Sequence, residues 1–323
     1  MNRRRWKSRI AVAVGAALVL TVAGCSSNST EDTPENAAAS GSYPLTVSTE
    51  SGDVTIAGAP ERIVTLGNPA FENVVALGSR PAASSVTNVE NLPYLAPYAG
   101  NEEIDDSLAD IYAGQINFER LIEVGPDLIV APAWPAIIEP ATLDRLRKIA
   151  PTLIFDTQDA DTDWRVGVQQ VADALGKSEA GKQLIDSAVD KYSSIGSEYP
   201  DLAQRSYSFG LYYKDAISLG SGGNILRLFG LTPAEDQASV ENSGAKVSYS
   251  GETVGDVDGD AVLLMPFPQD SIASLENSPF WKSNLQPRVI WLSDAQGEAI
   301  NNAGILGKAW LPENLGSAFA QFG

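Results

Sequence analysis

The chain has 323 residues, of which 44% are hydrophobic, and a formal net charge of −19. This length accommodates two α/β domains or one large one, and so acidic a surface repels nucleic acid and anionic lipid headgroups. The chain contains no histidine. This excludes Ser-His-Asp and Cys-His nucleophile systems, histidine-rich zinc or manganese sites, and histidine ligation of haem.

The first 24 residues have the pattern of a secretory signal peptide. Five basic residues precede an apolar run over 10–22, which is shorter than the about 20 residues of a membrane-spanning helix. The run ends in Val-Ala-Gly-Cys, and Cys25 is the only cysteine, so it has no intramolecular disulfide partner. The tetrapeptide resembles the lipobox of bacterial lipoproteins, in which the cysteine is acylated. We therefore expect lipidation at Cys25 and a mature chain of net charge −24, held on the extracytoplasmic face of the cell membrane by its lipid anchor only.

Residues 25–42 are rich in Ser, Asn, Thr, Glu and Ala, which predicts a flexible tether. The pattern then changes to short apolar runs that alternate with helical spacing, and we assign residues 43–160 to a first α/β lobe. Alternating strands and helices predict a parallel sheet covered on both faces. The expected strands are a hairpin over 45–49 and 54–56, followed by 62–66, 127–131 and 152–155.

Residues 161–199 contain two helical patterns and no strand pattern, and the second of them is long enough to span roughly 30 Å. Strand patterns resume over 206–213, 216–219, 261–265 and 288–292. We assign residues 200–323 to a second α/β lobe. The Gly-rich run 220–224 lacks the Lys-Ser/Thr of a phosphate-binding loop and is interpreted as a tight turn.

Several segments then carry a resemblance to a known family. They are YPLTV at 43–47, APERIVTLG at 59–67, ENVVALG at 72–78, INFERL at 116–121, GPDLI at 125–129 and KIAPT at 148–152. The chain resembles the iron-siderophore and cobalamin class of ABC-transporter solute-binding proteins, close to the siderophore branch of actinobacterial lipoproteins. The resemblance covers nearly everything after residue 42 and is more specific in the first lobe.

This resemblance implies the class α/β, with two Rossmann-like α/β lobes joined by a long rigid interdomain helix. It also implies a cleft between the lobes that captures a ferric siderophore for delivery to the permease subunits of an ABC importer. We expect a monomer that is not an enzyme and has no catalytic residue, resident cofactor or metal site. In relatives, one carboxylate on each lobe docks on the permease, and the matching positions are Glu72 and Glu252. From chemistry alone, an exposed glutamate near a helix start is explained by solvation and the helix dipole.

The cargo site is expected in the loops that follow the strands, as in open α/β sheets generally. A ferric siderophore is bulky and often anionic, so aromatic rings and basic groups suit it. The candidate residues are Trp134, Tyr213, Lys214, Tyr94, Tyr212, Lys246, Tyr249 and Asn301, with Tyr98 and Asn302 beside them. Some hydroxamate-binding relatives place an arginine before the INFE-like motif, whereas the stretch 112–115 here has none. Lys214 and Lys246 are then the groups that neutralise an anionic cargo, or the cargo carries less charge.

Three other functions stay open at this point. Cobalamin and haem are large planar molecules that suit an aromatic cleft in the same class of protein. A lipid-anchored enzyme with a carboxylate pair is compatible with the many Asp and Glu residues, although the two-lobe pattern argues against it. An adhesion or scaffold module of the cell envelope is the last alternative.

Overall fold

The computed structural model describes residues 41–111, 113–157, 163–267 and 272–322. The predicted signal peptide, Cys25 and most of the predicted tether lie outside the described residues. Within those ranges, no helix is both long enough and apolar enough to cross a membrane.

The first half of the chain, residues 41–157, is built on short strands. They are β1 (Leu45–Val47), β2 (Val54–Ile56), β3 (Ile63–Leu66), β4 (Ala83–Ser85), β5 (Ala109–Asp110), β6 (Gln115–Ile116), β7 (Leu128–Pro132) and β8 (Thr152–Phe155). β1 and β2 form the predicted antiparallel hairpin. A parallel sheet has the order β4-β3-β7-β8. Its strands are buried along their whole length, as expected for a parallel sheet with helices on both faces.

Five helices accompany this sheet and lead out of it. They are α1 (Asn68–Ala76), α2 (Phe118–Val124), α3 (Pro135–Ile138), α4 (Pro140–Ile149) and α5 (Trp164–Ala174). Several begin with recognisable capping chemistry: the Asn117 side chain accepts a hydrogen bond from Arg120 N at the start of α2, and Pro69 lies in the first turn of α1. The predicted alternation of strands and helices is therefore present.

The second half, residues 200–322, contains a mixed six-stranded sheet. Its strands are β9 (Ser206–Tyr213), β10 (Ala216–Leu219), β11 (Thr232–Pro233), β12 (Ser248–Ser250), β13 (Ala261–Pro266) and β14 (Val289–Trp291). The order is β12-β10-β9-β13-β14, with β11 beside β9. β9, β13 and β14 are parallel, whereas β10 is antiparallel to both β9 and β12. The antiparallel edge strand β12 is absent from the sequence-based prediction.

The helices after residue 178 connect and cover the second sheet. They are α6 (Ser178–Glu198), α7 (Glu235–Ser243), α8 (Ile272–Glu276), α9 (Asp294–Asn301) and α10 (Ile305–Leu315), and a 3₁₀ helix runs over Ser221–Phe229. The 3₁₀ form is tighter than an α-helix, and it includes most of the Gly-rich run 220–224 that was interpreted as a tight turn. The 21-residue α6 leads from the first half to the second and packs against α5 and α10. Its rigidity, and the predicted lobe boundaries, stay predictions.

One hydrophobic core extends across both halves of the chain. It joins Phe71 and Tyr94 of the first half to Phe209 and Ile305 of the second, all of them buried. Separate clusters lie on the two faces of the first sheet and under β13 and β14. The shared core means that the contact between the halves includes interior packing as well as the chain connection through α6.

Candidate functional site

The carboxyl ends of the parallel strands determine where a ligand is expected. In the first sheet these ends lead into Gly67, Val86, Ala133 and Asp156, and all four strands point the same way. Ligands of open α/β sheets bind outside this edge. The two cavities described next lie among the segments that follow it.

The larger cavity has a volume of about 780 Å³ and lies among the segments 86–91 and 99–110. This size falls within the range typical of small-molecule sites. Glu90, Asp106 and Asp110 line it, all three are exposed, and none forms an ion pair with another described residue. None of these three carboxylates is among the site residues named from the sequence. The acidic lining of this cavity could have been predicted, because the segment 86–110 contains no basic residue.

The second cavity is a narrow one, about 40 Å³, where the two halves meet. Trp134, Asp156 and Trp164 line one side, and Asn301, Asn302, Ala303, Gly304 and Lys308 line the other. Two predicted site residues, Trp134 and Asn301, are thus brought together from opposite halves. We name residues 301–304 the cleft floor.

Trp134 lies two residues after the end of β7 and is half-buried. Its ring lies against Gly67, where an added Cβ would be 3.4 Å from the indole. Gly67 has φ of +93°, a conformation that L side chains rarely adopt, so glycine serves both the turn and the close approach here. The indole is therefore held at the ends of β3 and β7, beside the narrow cavity.

Tyr213 and Lys214 lie at the turn between β9 and β10. Lys214 and Asp215 both have positive φ, 48° and 59°, as a two-residue hairpin turn requires. The ring of Tyr213 is 39% exposed and lies 5.9 Å from the ring of Phe267, and Lys214 Nζ lies 4.8 Å from the Tyr213 centroid. Phe267, which is 60% exposed, was missed by sequence reasoning, although an aromatic residue directly after a buried strand was a usable signal.

Three predicted aromatic ligands belong to the interior instead. Tyr94, Tyr212 and Tyr249 are 7%, 1% and 9% exposed. Tyr212 donates a hydrogen bond to Asp215, Tyr249 donates one to Asp236, and Tyr94 packs against Trp310. Because successive side chains of a strand point to opposite faces, Tyr212 turns inward where its neighbour on β9 turns outward. The expectation that these three rings are available to a cargo is wrong for the structure described.

Lys246 is exposed, but it does not lie with Lys214. It precedes β12, and the carbonyl of the adjacent Val247 accepts a hydrogen bond from Leu219, at the end of β10 remote from the Lys214 turn. The four residues of β10 separate the two lysines, which corresponds to about 13 Å of strand. The two predicted cations therefore lie apart, because the edge strand that follows Lys246 was not predicted.

Glu72 is the clearest departure from the sequence-based prediction. It is fully buried on α1, where its Oε2 accepts a hydrogen bond of 2.9 Å from the backbone of Gly307 in α10. Burial raises the pKa of Glu72 to about 7, although the backbone N–H groups of Gly307 and Gly304 and the charge of Lys308 lower it. A carboxylate enclosed in this way presents no surface to a permease, so the docking assignment of Glu72 is wrong.

Glu252, by contrast, is exposed in the first turn of the 3₁₀ helix Gly251–Asp256. The position equivalent to it in the first half is Glu119, which is exposed in the first turn of α2. Each glutamate precedes the start of a central parallel strand, β7 or β13, by nine residues. The residue immediately before each strand, Asp127 or Asp260, accepts hydrogen bonds from backbone N–H groups at or before the start of the neighbouring strand. This repeated spacing was available in the sequence and was missed.

Comparisons with known proteins agree with this architecture. The model of the periplasmic binding protein family matches residues 63–283. A relative from Bacillus subtilis, named "Probable siderophore-binding lipoprotein YfiY", is 24% identical over an alignment of 294 positions, and the match covers 84% of this chain and 82% of the relative.

Two solved structures share the fold. SirA of Staphylococcus aureus, complexed with staphyloferrin B, has a TM-score of 0.69 at 21% identity over 86% of this chain and 98% of its own. PiaA of Streptococcus pneumoniae, in complex with ferrichrome, has a TM-score of 0.68 at 19% identity over 86% of this chain and 99% of its own.

Proposed function

We propose that this chain, which belongs to the periplasmic binding protein family, captures a ferric siderophore outside the cytoplasm and delivers it to an ABC importer. The observation that carries the proposal is the cavity where the two halves meet, at which Trp134 from the first half faces Asn301 and Asn302 from the second. The same fold occurs in the two proteins solved with staphyloferrin B and with ferrichrome. The absence of histidine supports binding without catalysis, since the common nucleophile systems need it.

Trp134, Tyr213 and Phe267 are the aromatic surfaces proposed to contact the cargo. All three follow or end a parallel strand, and Tyr213 and Phe267 form an exposed ring pair. Lys214 lies over the Tyr213 ring and supplies a positive charge there, while Asn301 offers amide groups from the cleft floor. Aromatic faces pack on the organic part of a siderophore, and the amide and ammonium groups bond to its oxygens.

A titration of purified mature protein tests the proposal. The cargo panel consists of ferrichrome, a ferric carboxylate siderophore, a ferric tricatecholate, cobalamin and haem, each followed by quenching of tryptophan fluorescence and by calorimetry. Iron-free ferrichrome is the control for the metal complex. Saturable binding of a ferric siderophore is the expected result. Binding of cobalamin or haem alone, or of nothing in the panel, would refute the siderophore assignment.

Glu119 and Glu252 are proposed as the two permease contacts. Both are exposed, both begin a short helix, and they occupy the same place in the two halves. Charges at the rim of an interface govern encounter and register, so reversing them affects docking more than cargo affinity. The matched control reverses Glu179 and Glu313, which are exposed glutamates elsewhere on the chain.

Cys25 is proposed as the lipidated residue, which would place the protein on the outer face of the cell membrane. The support is the Val-Ala-Gly-Cys sequence after a basic and an apolar segment, and the name of the Bacillus subtilis relative. An anchored protein remains close to its importer after release of each cargo, which raises its effective concentration there.

A further inference from the structure

The amino end of α10 has no cap of its own. Its N-cap residue is Gly304, which has no side chain, so the first backbone N–H groups of the helix need acceptors from elsewhere. α1, in the other half of the chain, supplies them. Asn73 Oδ1 accepts from Ile305 N at 2.9 Å, and Glu72 Oε2 accepts from Gly307 N at 2.9 Å.

The carboxyl end of α9 is held by a side chain from α10. Lys308 is 1% exposed, and its Nζ donates to the carbonyl groups of Ala299 at 2.9 Å and Ile300 at 2.7 Å. The cleft floor, residues 301–304, lies between these two helix ends. It is therefore fixed at one end by Lys308 and at the other by Glu72 and Asn73. We name these three residues the clasp.

The approach of α1 to α10 is close enough to require glycine. A Cβ added at Gly304 would lie 2.7 Å from the carbonyl oxygen of Pro69 and 2.8 Å from Glu72 Cβ. At Gly307 it would lie 3.1 Å from the ring of Tyr94. The clasp thus acts where the backbones of the two halves are in direct contact.

Burying a glutamate to cap a helix is energetically unfavourable, so capping alone does not explain Glu72. Its second oxygen, Oε1, is buried without a hydrogen-bond partner, and buried carboxylates are unfavourable unless they are fully paired. Glu72 does not line the narrow cavity, whereas Asn301, Asn302, Ala303 and Gly304 do.

We infer that Glu72 is a positioning residue for cargo capture: through Gly307 it holds the cleft floor at the distance from Trp134 at which a cargo is bound. This inference rests on the proposed function, because it concerns the affinity of the same cleft. Glu72 is then one of the residues that determine cargo affinity, although it is buried and does not touch the cargo.

The test compares Glu72→Met, which keeps the length but removes the acceptor, with Glu72→Gln, which keeps an acceptor for Gly307. Glu313→Met is the matched control, since Glu313 is an exposed glutamate on α10 itself. Ferrichrome and the other panel members are titrated into each folded variant, and amide hydrogen exchange of residues 301–309 is measured without cargo. If Glu72→Met does not fold, Glu72→Ala replaces it.

We expect Glu72→Met to weaken cargo binding about tenfold, the effect of losing one charge-assisted hydrogen bond, and to speed exchange at Ile305 and Gly307. Glu72→Gln is expected to stay within about threefold of the wild-type affinity. Unchanged affinity in Glu72→Met with faster exchange would reduce Glu72 to a stability role and overturn the inference. Unchanged hydrogen exchange at Ile305 and Gly307 would show that Glu72 does not hold the start of α10, and would overturn its part in the clasp. If the wild-type protein binds no panel member, the proposed function fails and the exchange measurement alone decides the clasp.

Discussion

Replacing Glu72 with glutamine should change how the stability of the protein depends on pH. Burial raises the pKa of Glu72 from 4.5 to about 7. Between these two values the folded protein keeps a proton that the unfolded chain has lost. The stabilisation associated with Glu72 is therefore complete below about pH 4.5 and is lost as the pH rises through about 7.

The size of the effect follows from the same two pKa values. A gap of about 2.5 units corresponds to about 3 kcal/mol of unfolding free energy. Glutamine has no proton to lose, so the variant should gain about 2 to 3 kcal/mol over the wild-type protein between about pH 5 and about pH 8. Burial also lowers the pKa of Lys308 to about 7, and the charge of Glu72 raises it, so the titration of Lys308 differs between the two proteins and is part of the measured difference.

Urea unfolding of both proteins at a series of pH values is the assay. Glu313→Gln, at an exposed site on α10, serves as the control for the substitution itself. The charges that act on Glu72 are those of Lys308 and Glu298, and the pKa of Tyr98 is raised by burial and by Glu72. The unfolding free energies of the wild type and Glu72→Gln are compared across this range. If their difference stays constant from about pH 5 to about pH 8, Glu72 is not a buried carboxylate that keeps its proton in the folded state.

Four further outcomes are expected. Gly304→Ala should destabilise the fold by about 1–3 kcal/mol in urea unfolding, because the new Cβ meets the Pro69 carbonyl at 2.7 Å. Trp134→Ala should weaken ferric-siderophore binding about tenfold or more in calorimetry, with Trp134→Phe retaining most of it. Reversing Glu119 and Glu252 to arginine should abolish iron uptake in cells while leaving cargo titration unchanged. Cys25→Ala should release the protein from membranes or leave it unprocessed in cell fractionation.

Each of these has a result that would contradict it. An alanine at 304 without loss of stability would show that the two helices separate easily. An unchanged titration curve removes Trp134 from the site, and normal uptake after both charge reversals removes the glutamates from the docking surface. A processed Cys25→Ala protein of normal size that stays with membranes would contradict lipid anchoring.

The local patterns of the first half predicted three strands of its parallel sheet, β3, β7 and β8, but missed the edge strand β4. β7 and β8 are short apolar runs between turn residues, and such runs are typical of strands buried on both faces. In the second half the same rule located β9 and β13 but missed β12, whose three residues are alternately exposed and buried. Without that edge strand, the positions of Lys246 and Tyr249 could not be derived.

The error at Glu72 has a different physical origin. Seven consecutive residues of α1, from Asn68 to Val74, are buried, so the helix is covered on every side. The segment that covers Glu72 is α10, more than 230 residues later in the chain. Local periodicity predicts which residues form a helix but contains no information on what a distant segment packs against it. The error at Tyr212 was avoidable from the sequence. Successive side chains of a strand point to opposite faces, so Tyr212 and Tyr213 could not both face a cargo.

The hydrogen bonds between α1 and α10 have a consequence for the order in which the chain matures. They connect residues 232 and 235 positions apart, so the interior around Phe71 and Tyr94 is completed only by the last part of the sequence. Contacts of such long range form late and slow the folding of a chain. A nascent polypeptide therefore lacks the segment that closes its first half. We expect the first half to reach its final packing only after α10 has been synthesised.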